Sequence, residues 1–355
     1  MKSKKSKILR IFFLSIVSPD YSRSSVLLNY QSDFFSKIYI PFSGKSKSIV
    51  RDLLLLKHEM RSDSAIVIMS PSHKLTFFAR ILTRSPVVLD AGWPLTDGVV
   101  SRGKKKGFIG HLIVSYLLDF VSFHSAHKIL LESKAQSARV RRIYFVSKKK
   151  IHISFTGFNE TSLIGQMEKS QKIEELENFL SKESKPLGVL FRGKINRESG
   201  IETILKVAKE LEDETSFIIV TGAKHGLKNI PSNCFVISDV TQIEMSYIYS
   251  IVDITLGQLS KHPRLKYTIP HKAFEAGYFA KSFLSSESEG IKELFPNGSA
   301  YLIGNVSVDN IVASIRDLSS KQLRDNLASA AHARYKQVAS QRLLNANFEL
   351  IIREC

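Results

Sequence analysis

The feature that most constrains the fold is the alternation of strand-like and helix-like segments along the chain. Apolar runs rich in β-branched residues predict buried strands, and segments with a helical apolar period predict helices. In the first half, strands are predicted at 8–17, 37–40, 65–69, 87–90 and 128–131, and helices at 48–60, 74–83, 108–123 and 134–145. This βαβα order predicts an α/β fold, in which a parallel sheet carries helices on both faces and binds ligands beyond the carboxyl ends of its strands.

The length of the chain and a second βαβα series indicate two such domains. A chain of 355 residues exceeds the usual size of one domain. A charged segment with a helical pattern, 167–185, leads to the second domain, and Pro186 precedes its first strand. Three helices are predicted over 308–352. The domains are therefore predicted as 1–166 and 167–340, followed by a helical segment at 341–355.

The charge of the chain points to anionic partners. The formal net charge is +18, and residues 101–150 hold twelve Lys/Arg against two acids, Asp119 and Glu132. Phosphorylated substrates, anionic lipid and nucleic acid would each suit such a surface. Nucleic acid is disfavoured, because the sequence has no basic motif interleaved with aromatic residues and no known binding module. The two cysteines, Cys234 and Cys355, form no disulfide framework, which is typical of a reducing cytoplasm.

An apolar segment, 108–123, follows the three lysines at 104–106. It is short for a membrane-spanning helix and contains Asp119, so we expect no transmembrane segment. Two interpretations stay open: attachment to an anionic membrane surface, or a core helix preceded by a solvated basic loop. The charged and then apolar N-terminal residues are predicted to form the first strand rather than a signal peptide, because Arg10 interrupts the apolar run.

The clearest candidate site is the segment 269–277, which reads Ile-Pro-His-Lys-Ala-Phe-Glu-Ala-Gly. Pro270 is suited to the start of a helix, and Lys272 and Glu275 then share one face of its first turns. The unpaired N–H groups and the positive dipole of a helix N-terminus suit a phosphate. Lys272 would add a cation, and Glu275 would accept hydrogen bonds from ribose hydroxyls. Taken alone, the two residues also fit an ordinary Lys–Glu surface pair.

Residues 187–337 resemble the C-terminal domain of family 4 glycosyltransferases, which have the GT-B fold. The family's landmarks occur here in order: a strand with a glycine and a basic residue after it, an apolar strand, a short strand, a helix and strand, and then the helix of Lys272 and Glu275 (188–194, 216–222, 234–238, 242–256 and 269–277). The resemblance implies two Rossmann-like doubly wound domains that face each other across a cleft. It also implies that the last helix crosses back to the first domain.

The resemblance further implies the residues of the donor site. Arg192, Gly193, Lys194 and Lys272 would bind the diphosphate of a nucleotide sugar, and Glu275 would bind its ribose. No metal ion and no cofactor is expected, because lysines and a helix N-terminus would meet the phosphate charge.

In the first domain the candidate residues lie in the segment 87–98. Its strand is predicted to end at Asp90, at the edge where such sheets bind ligands. Trp93, the only tryptophan, would stack on a sugar at the acceptor side, and Asp90 or Asp97 would serve as the catalytic base. The alternative is a structural turn with Trp93 packed into the core.

The sequence therefore predicts a metal-independent, hexosyltransferase-like glycosyltransferase. It would move a sugar, with retention of configuration, from a nucleotide diphosphate sugar to a hydroxyl of a saccharide or lipid-linked saccharide, in cell-surface polysaccharide or glycolipid assembly. We expect a cytoplasmic protein, peripheral at the inner face of the cell membrane. Two positions depart from the family's pattern: Tyr267 stands where a glutamate is common, and Ser199 where a second basic residue is expected. The alternatives are a binding protein that keeps the GT-B fold without catalysis, and a GT-B sugar-nucleotide epimerase.

Overall fold

The computed structural model describes the chain except for residues 1–9, 19–21, 31, 33, 61–62, 104–106, 164–168 and 224–225. The chain divides into two compact units. The first comprises Met1–Asn159 together with Gln341–Cys355, and the second comprises Glu160–Ser340. The predicted boundary between residues 166 and 167 and the basic group at 104–106 both lie outside the described residues.

The first unit alternates strands and helices, and it also contains the helix nearest the C-terminus. Its elements are β1 (Arg10–Ser15), α1 (Ser22–Leu28), β2 (Ser36–Pro41), α2 (Ser46–Leu56), β3 (Ser64–Met69), α3 (Lys74–Leu82), β4 (Val87–Gly92), α4 (Leu95–Arg102), α5 (Phe108–Ser125), β5 (Lys128–Leu131), α6 (Lys134–Tyr144) and β6 (Ile151–Ile153), with α14 at Gln341–Arg353. The strands pair in the order β2-β1-β3-β4-β5-β6, and all pairings are parallel.

Both faces of the middle of this first sheet are covered, which explains why its inner strands β1, β3, β4 and β5 are mostly continuous apolar runs. Along β1, Phe12 packs into a core formed with α2, α3 and α5, whereas Phe13 packs into a second core formed with α1 and α14. Phe348 of α14 stacks on Phe13, with ring centroids 6.0 Å apart, and meets Tyr30 edge-on at 5.1 Å. The helix at 341–353 is therefore an integral part of this core.

The second unit repeats the architecture. Its elements are α7 (Gln171–Glu183), β7 (Leu187–Arg192), α8 (Ile201–Glu210), β8 (Thr215–Thr221), β9 (Cys234–Ser238), α9 (Gln242–Ile251), β10 (Ile254–Leu256), α10 (His271–Tyr278), β11 (Ser282–Ser286), α11 (Glu289–Leu294), β12 (Tyr301–Ile303), α12 (Val308–Asp317) and α13 (Lys321–Val338). The strands pair in parallel in the order β12-β11-β10-β7-β8-β9.

The predicted α/β class with two doubly wound sheets is confirmed, and so are the three helices over 308–352, which are α12, α13 and α14. The predicted strands and helices of the first half are present, although their ends differ by up to four residues. Residues 95–102, for which no helix or strand was predicted, form α4, so Asp97 lies on a helix. The elements α1 and β6 were not predicted.

Candidate functional site

The candidate site lies where the strand order of the second sheet reverses. From β7 the chain adds β8 and β9 on one side and then β10, β11 and β12 on the other, so the carboxyl ends of β7 and β10 flank the reversal. Open α/β sheets bind ligands at this point. Strand β7 ends at Arg192 and β10 at Leu256, and a glycine follows each of them, Gly193 and Gly257.

The amine of Lys272 lies between these two glycine turns. Its Nζ donates a hydrogen bond to the carbonyl oxygen of Gly257 at 3.0 Å. A Cβ placed on Gly193, whose φ is +143°, would stand 3.8 Å from the same Nζ, and a Cβ on Gly257 would overlap Ser285 Oγ. Both turns therefore favour glycine, and bare main chain borders the amine on two sides.

Helix α10 is the element that positions Lys272. The six residues from Lys272 to Gly277 are all buried, and a Cβ on Gly277 would come within 2.9 Å of Tyr335 Cβ on α13, so the two helices pack closely. Pro270 is the N-cap residue with φ −67°, and among the described residues no side chain caps this end. The N–H groups of His271 and Lys272 thus have no intrahelical acceptor and suit an anion, whereas that of Ala273 donates to Pro270 O at 2.9 Å.

Burial changes the acidity of Lys272. The side chain is 9% exposed, and its Nζ stands 4.0 Å from the centre of the Phe191 ring. The pKa of Lys272 is lowered from 10.5 to about 7: burial lowers it most, the charge of Glu275 partly opposes the shift, and the charge of Arg192 adds to it. The amine is therefore poised to take up a proton when an anion arrives, because an opposite charge nearby favours the protonated form.

Glu275 holds the other side of the site together. Its carboxylate is fully buried, forms an ion pair with Arg192, and accepts hydrogen bonds from Tyr249 Oη at 2.8 Å and His271 Nδ1 at 3.1 Å. Burial acts to raise the pKa of Glu275, but the charges of Arg192 and His271 prevail and hold it well below its usual range. Glu275 is therefore an anion that fixes Arg192 beside the switch point.

The structure thus brings Arg192, Gly193, Lys272 and Glu275 together at the switch point, and their predicted role in binding a donor stays a prediction. The role of Glu275 in binding ribose stays a prediction, because its two carboxylate oxygens already accept from three protein groups. Sequence reasoning missed Tyr249 and His271. The spacing of His271, four residues before Glu275 on one helix, was the signal that could have found it.

Two loops beyond the strand ends meet beside this site. Lys194 is exposed in the loop after β7. In the same loop Glu198 forms a buried, two-bond ion pair with Arg264 Nη1 of the loop after β10, at 2.9 and 2.8 Å. Gly200 lies against the main chain of Leu259, where a Cβ would collide with the carbonyl oxygen. Ser199 is buried and bonds to Asn196, so its role is to shape the loop.

In the first unit, Asp90 is not available as a base. It is fully buried and lies in an ion pair with Arg23, whose Nε donates at 2.7 Å and whose Nη2 is 2.6 Å away. Arg23 also donates to Ser154 O and Thr156 Oγ1. A base must reach the proton it removes, so this geometry argues against the predicted catalytic role of Asp90. Through Arg23 of α1, Asp90 instead links β4 to the segment after β6.

Asp97 is also buried and paired with an arginine. Asp97 is 5% exposed and accepts from Arg139 Nη2 at 2.8 Å and Gln136 Nε2 at 3.2 Å, which ties α4 to α6. The geometry of Asp97 therefore argues for a structural role and against the predicted catalytic role.

Trp93 is half-buried after β4 rather than packed fully in the core, and its contact with an acceptor stays a prediction.

The architecture of the two units is that of the GT-B fold, in which two Rossmann-like domains each carry a parallel sheet. Three proteins are among those whose solved structures this chain resembles. HepE of Anabaena in complex with UDP-glucose has 14% identity and a TM-score of 0.70, over 98% of this chain and 100% of that chain. A glycosyltransferase of Rickettsia africae has 12% identity and a TM-score of 0.66, over 98% of each chain. TarM has 12% identity and a TM-score of 0.62, over 87% of this chain and 58% of that chain.

At 12–14% sequence identity, these structural similarities show the fold alone, and the finer assignment to family 4 stays a prediction. No protein-family model matches the chain. No curated protein matches it either. Within the described residues, no group of three or more His, Cys, Asp or Glu side chains is arranged to hold a metal ion.

Proposed function

We propose that the protein is a glycosyltransferase that uses a nucleotide diphosphate sugar as its donor. The observation that carries the proposal is the buried amine of Lys272, set between two glycine turns at the switch point of a GT-B sheet and beside the open N-terminus of α10. The similar HepE structure holds UDP-glucose, which favours a uracil nucleotide as the first donor to test.

The site suits the charge that develops during transfer. As the bond between the sugar C1 and the phosphate oxygen breaks, the diphosphate gains negative charge, and preorganised cations and N–H groups stabilise that charge most effectively in a site shielded from water. Lys272 and the first turn of α10 would supply this stabilisation, with Arg192 and Lys194 at the rim. Lysines and a helix end carry out this task without a metal ion, so we propose a metal-independent enzyme.

The same geometry bears on stereochemistry. Asp90 and Asp97 each form an ion pair with an arginine, so neither carboxylate is placed to remove the proton of an acceptor hydroxyl. We therefore propose that the departing phosphate oxygen takes the proton of the acceptor hydroxyl while the acceptor oxygen bonds to C1. Attack on the face that the phosphate leaves retains the configuration at C1. We propose a saccharide or lipid-linked saccharide as the acceptor, as in assembly of cell-surface polysaccharide or glycolipid.

A thermal-shift screen tests the donor site. Wild-type protein would be heated with UDP, GDP, ADP and CMP, free and sugar-linked, beside Lys272→Met and the matched variant Lys281→Met. Lys281 is also a partly buried lysine whose Nζ donates to main-chain oxygens of the second unit, at 2.9 Å for Val252 O, but it lies on the loop before β11. A ligand at 100 times its Kd should stabilise by about 2.7 kcal/mol.

We expect one nucleotide class to stabilise wild type and Lys281→Met but not Lys272→Met. The absence of a shift with every nucleotide would overturn the donor site. If the nucleotide sugar binds but no free nucleotide is released in the presence of mixed acceptors, the protein is better described as a binding protein. Tyr267 and Ser199, which depart from the family's pattern, are the reason for keeping this alternative. Turnover of the donor without any acceptor, giving an isomeric nucleotide sugar, would favour the epimerase.

A further inference from the structure

Helix α5 presents to solvent an apolar side that carries no Asp, Glu, Lys or Arg and one histidine, His124, in its last turn. Six of its side chains are between 37% and 71% exposed: Ile109, Ile113, Val114, Leu117, Phe120 and Val121. At about 100° per residue these positions fall within an arc of roughly 140°. Within the described chain, α5 is the only helix long and apolar enough to cross a membrane, yet just 17% of it is buried. It is therefore not an ordinary core helix.

The opposite side of α5 is fixed to the first unit. Asp119 is buried and accepts hydrogen bonds from Leu95 N and Thr96 N, both at 2.9 Å, and from Tyr144 Oη at 3.1 Å. Ser122 Oγ donates to the carbonyl oxygen of His73 at 2.8 Å. These bonds anchor the helix to its domain, so its apolar side is available to an external surface rather than to a passage through a bilayer.

Two neighbouring helices extend the apolar side. Helix α3 packs against α5, and α2 packs against α3. They add Leu54, Leu55, Phe77 and Ile81, which are 41–72% exposed. These four residues and the six on α5 are here called the apolar face. Ten of the fifteen exposed large hydrophobic side chains of the described residues thus lie on three adjacent helices, and a concentration of this kind marks an interaction surface.

Positive charge borders the apolar face. Arg80 is exposed on α3 between Phe77 and Ile81, and Arg84 is exposed just beyond the end of that helix. At the C-terminal end of α5, Lys150 Nζ donates to the carbonyl oxygen of His124 at 2.8 Å, which places the Lys148–Lys150 turn there. Burial lowers the pKa of Lys150, and the charge of Arg80 lowers it further, so these cations are close enough to repel one another.

We propose that the apolar face is a docking surface for an anionic lipid bilayer. Apolar side chains would enter the acyl boundary, and the bordering cations would meet acidic headgroups, as in other proteins that lie on a membrane. Charge decides between this occupant and a second copy of the chain. Two copies joined through the apolar face would bring two basic borders together, whereas an acidic bilayer neutralises them.

Co-sedimentation with vesicles tests the proposal on the full chain. The probes are vesicles of phosphatidylcholine alone and vesicles with about 30% phosphatidylglycerol. The variants are Ile113→Ser/Leu117→Ser on the apolar face and the matched Leu350→Ser on α14, where Leu350 is 61% exposed but lies outside the face. Because the chain carries +18 overall, the charge control compares Arg80→Glu with Lys321→Glu on α13.

We expect wild type to bind the acidic vesicles. Ile113→Ser/Leu117→Ser should lower the partition coefficient by about tenfold or more, Leu350→Ser should leave it unchanged, and Arg80→Glu should lower it more than Lys321→Glu. Equal binding by Ile113→Ser/Leu117→Ser and wild type would overturn the proposal, as would the absence of binding at low salt. So would a wild-type dimer in sedimentation velocity that Ile113→Ser/Leu117→Ser dissociates. Lys272→Met should bind vesicles like wild type, which separates this test from that of the donor site.

Discussion

Donor binding should be accompanied by proton uptake at Lys272. In the free protein the pKa of Lys272 is about 7, so at pH 8 only about one amine in ten carries a proton. A diphosphate between the glycine turns would raise that pKa again, because it adds negative charge beside the buried amine. If the pKa in the complex exceeds about 10, binding takes up about 0.9 proton at pH 8 and about 0.1 at pH 6. The Kd should then rise about tenfold from pH 8 to pH 9.

Isothermal titration in buffers of different ionisation enthalpy counts these protons directly. The ligand should be the sugar-linked nucleotide, because its diphosphate is esterified at both ends and does not itself titrate near neutrality. Lys272→Met should abolish the uptake, and Lys281→Met should preserve it. Unchanged affinity between pH 7 and 9, or uptake near zero at pH 8 with binding intact, would refute the assignment of Lys272 to the diphosphate.

The same group gives a test that needs no ligand. A lysine with a lowered pKa in the folded state binds fewer protons there than in the unfolded state between about pH 7 and 10.5, so its contribution to stability grows with pH across that window. The free energy of unfolding of wild type relative to Lys272→Met should rise by about 1.4 kcal/mol per pH unit from pH 8 to 10. A difference that stays flat over this range would show that the folded protein does not lower this pKa.

Two further predictions concern the loops and the first unit. Gly200→Ala should lower the free energy of unfolding in urea by more than about 2 kcal/mol, because it adds a collision with Leu259 O to an unfavourable φ of +71°. The control Gly298→Ala, at φ +81° with nothing near its Cβ, should lower it by only about 1 kcal/mol. Equal losses in the two variants would contradict the steric argument. Asp90→Asn should lower the free energy of unfolding by about 3–5 kcal/mol, because it leaves Arg23 charged and buried without its partner. An additional Arg23→Met substitution should restore part of this loss. If the effects of the two substitutions simply add, the two side chains are not coupled.

The sequence predicted the main strands well because each is a short apolar run buried on both faces, a local pattern. It missed α4 because Leu95–Arg102 has few apolar residues and contains a glycine, and its stability comes from contacts distant in sequence, such as the bonds from Leu95 N and Thr96 N to Asp119.

The candidate site shows the same division. Lys272 and Glu275 could be predicted because one helix sets their spacing. The partner of Asp90 could not be, because Arg23 lies 67 residues away. The lowered pKa of Lys272 was equally beyond reach, since it depends on burial against Phe191 and Gly257, which other strands supply.

The place of α14 in the first unit has a consequence for synthesis on the ribosome. Phe348 and Ile352 complete the core formed by Phe13 and Tyr30, yet the 181 residues of Glu160–Ser340 separate them from the rest of that unit. At about 5–20 residues per second, roughly 9–36 s pass between the emergence of Asn159 and that of Gln341. During this interval the first unit lacks α14, and the sheet face that α14 covers is exposed. The second unit is one continuous segment, so all of it has been synthesised before the first unit is complete, and it can reach its native state first.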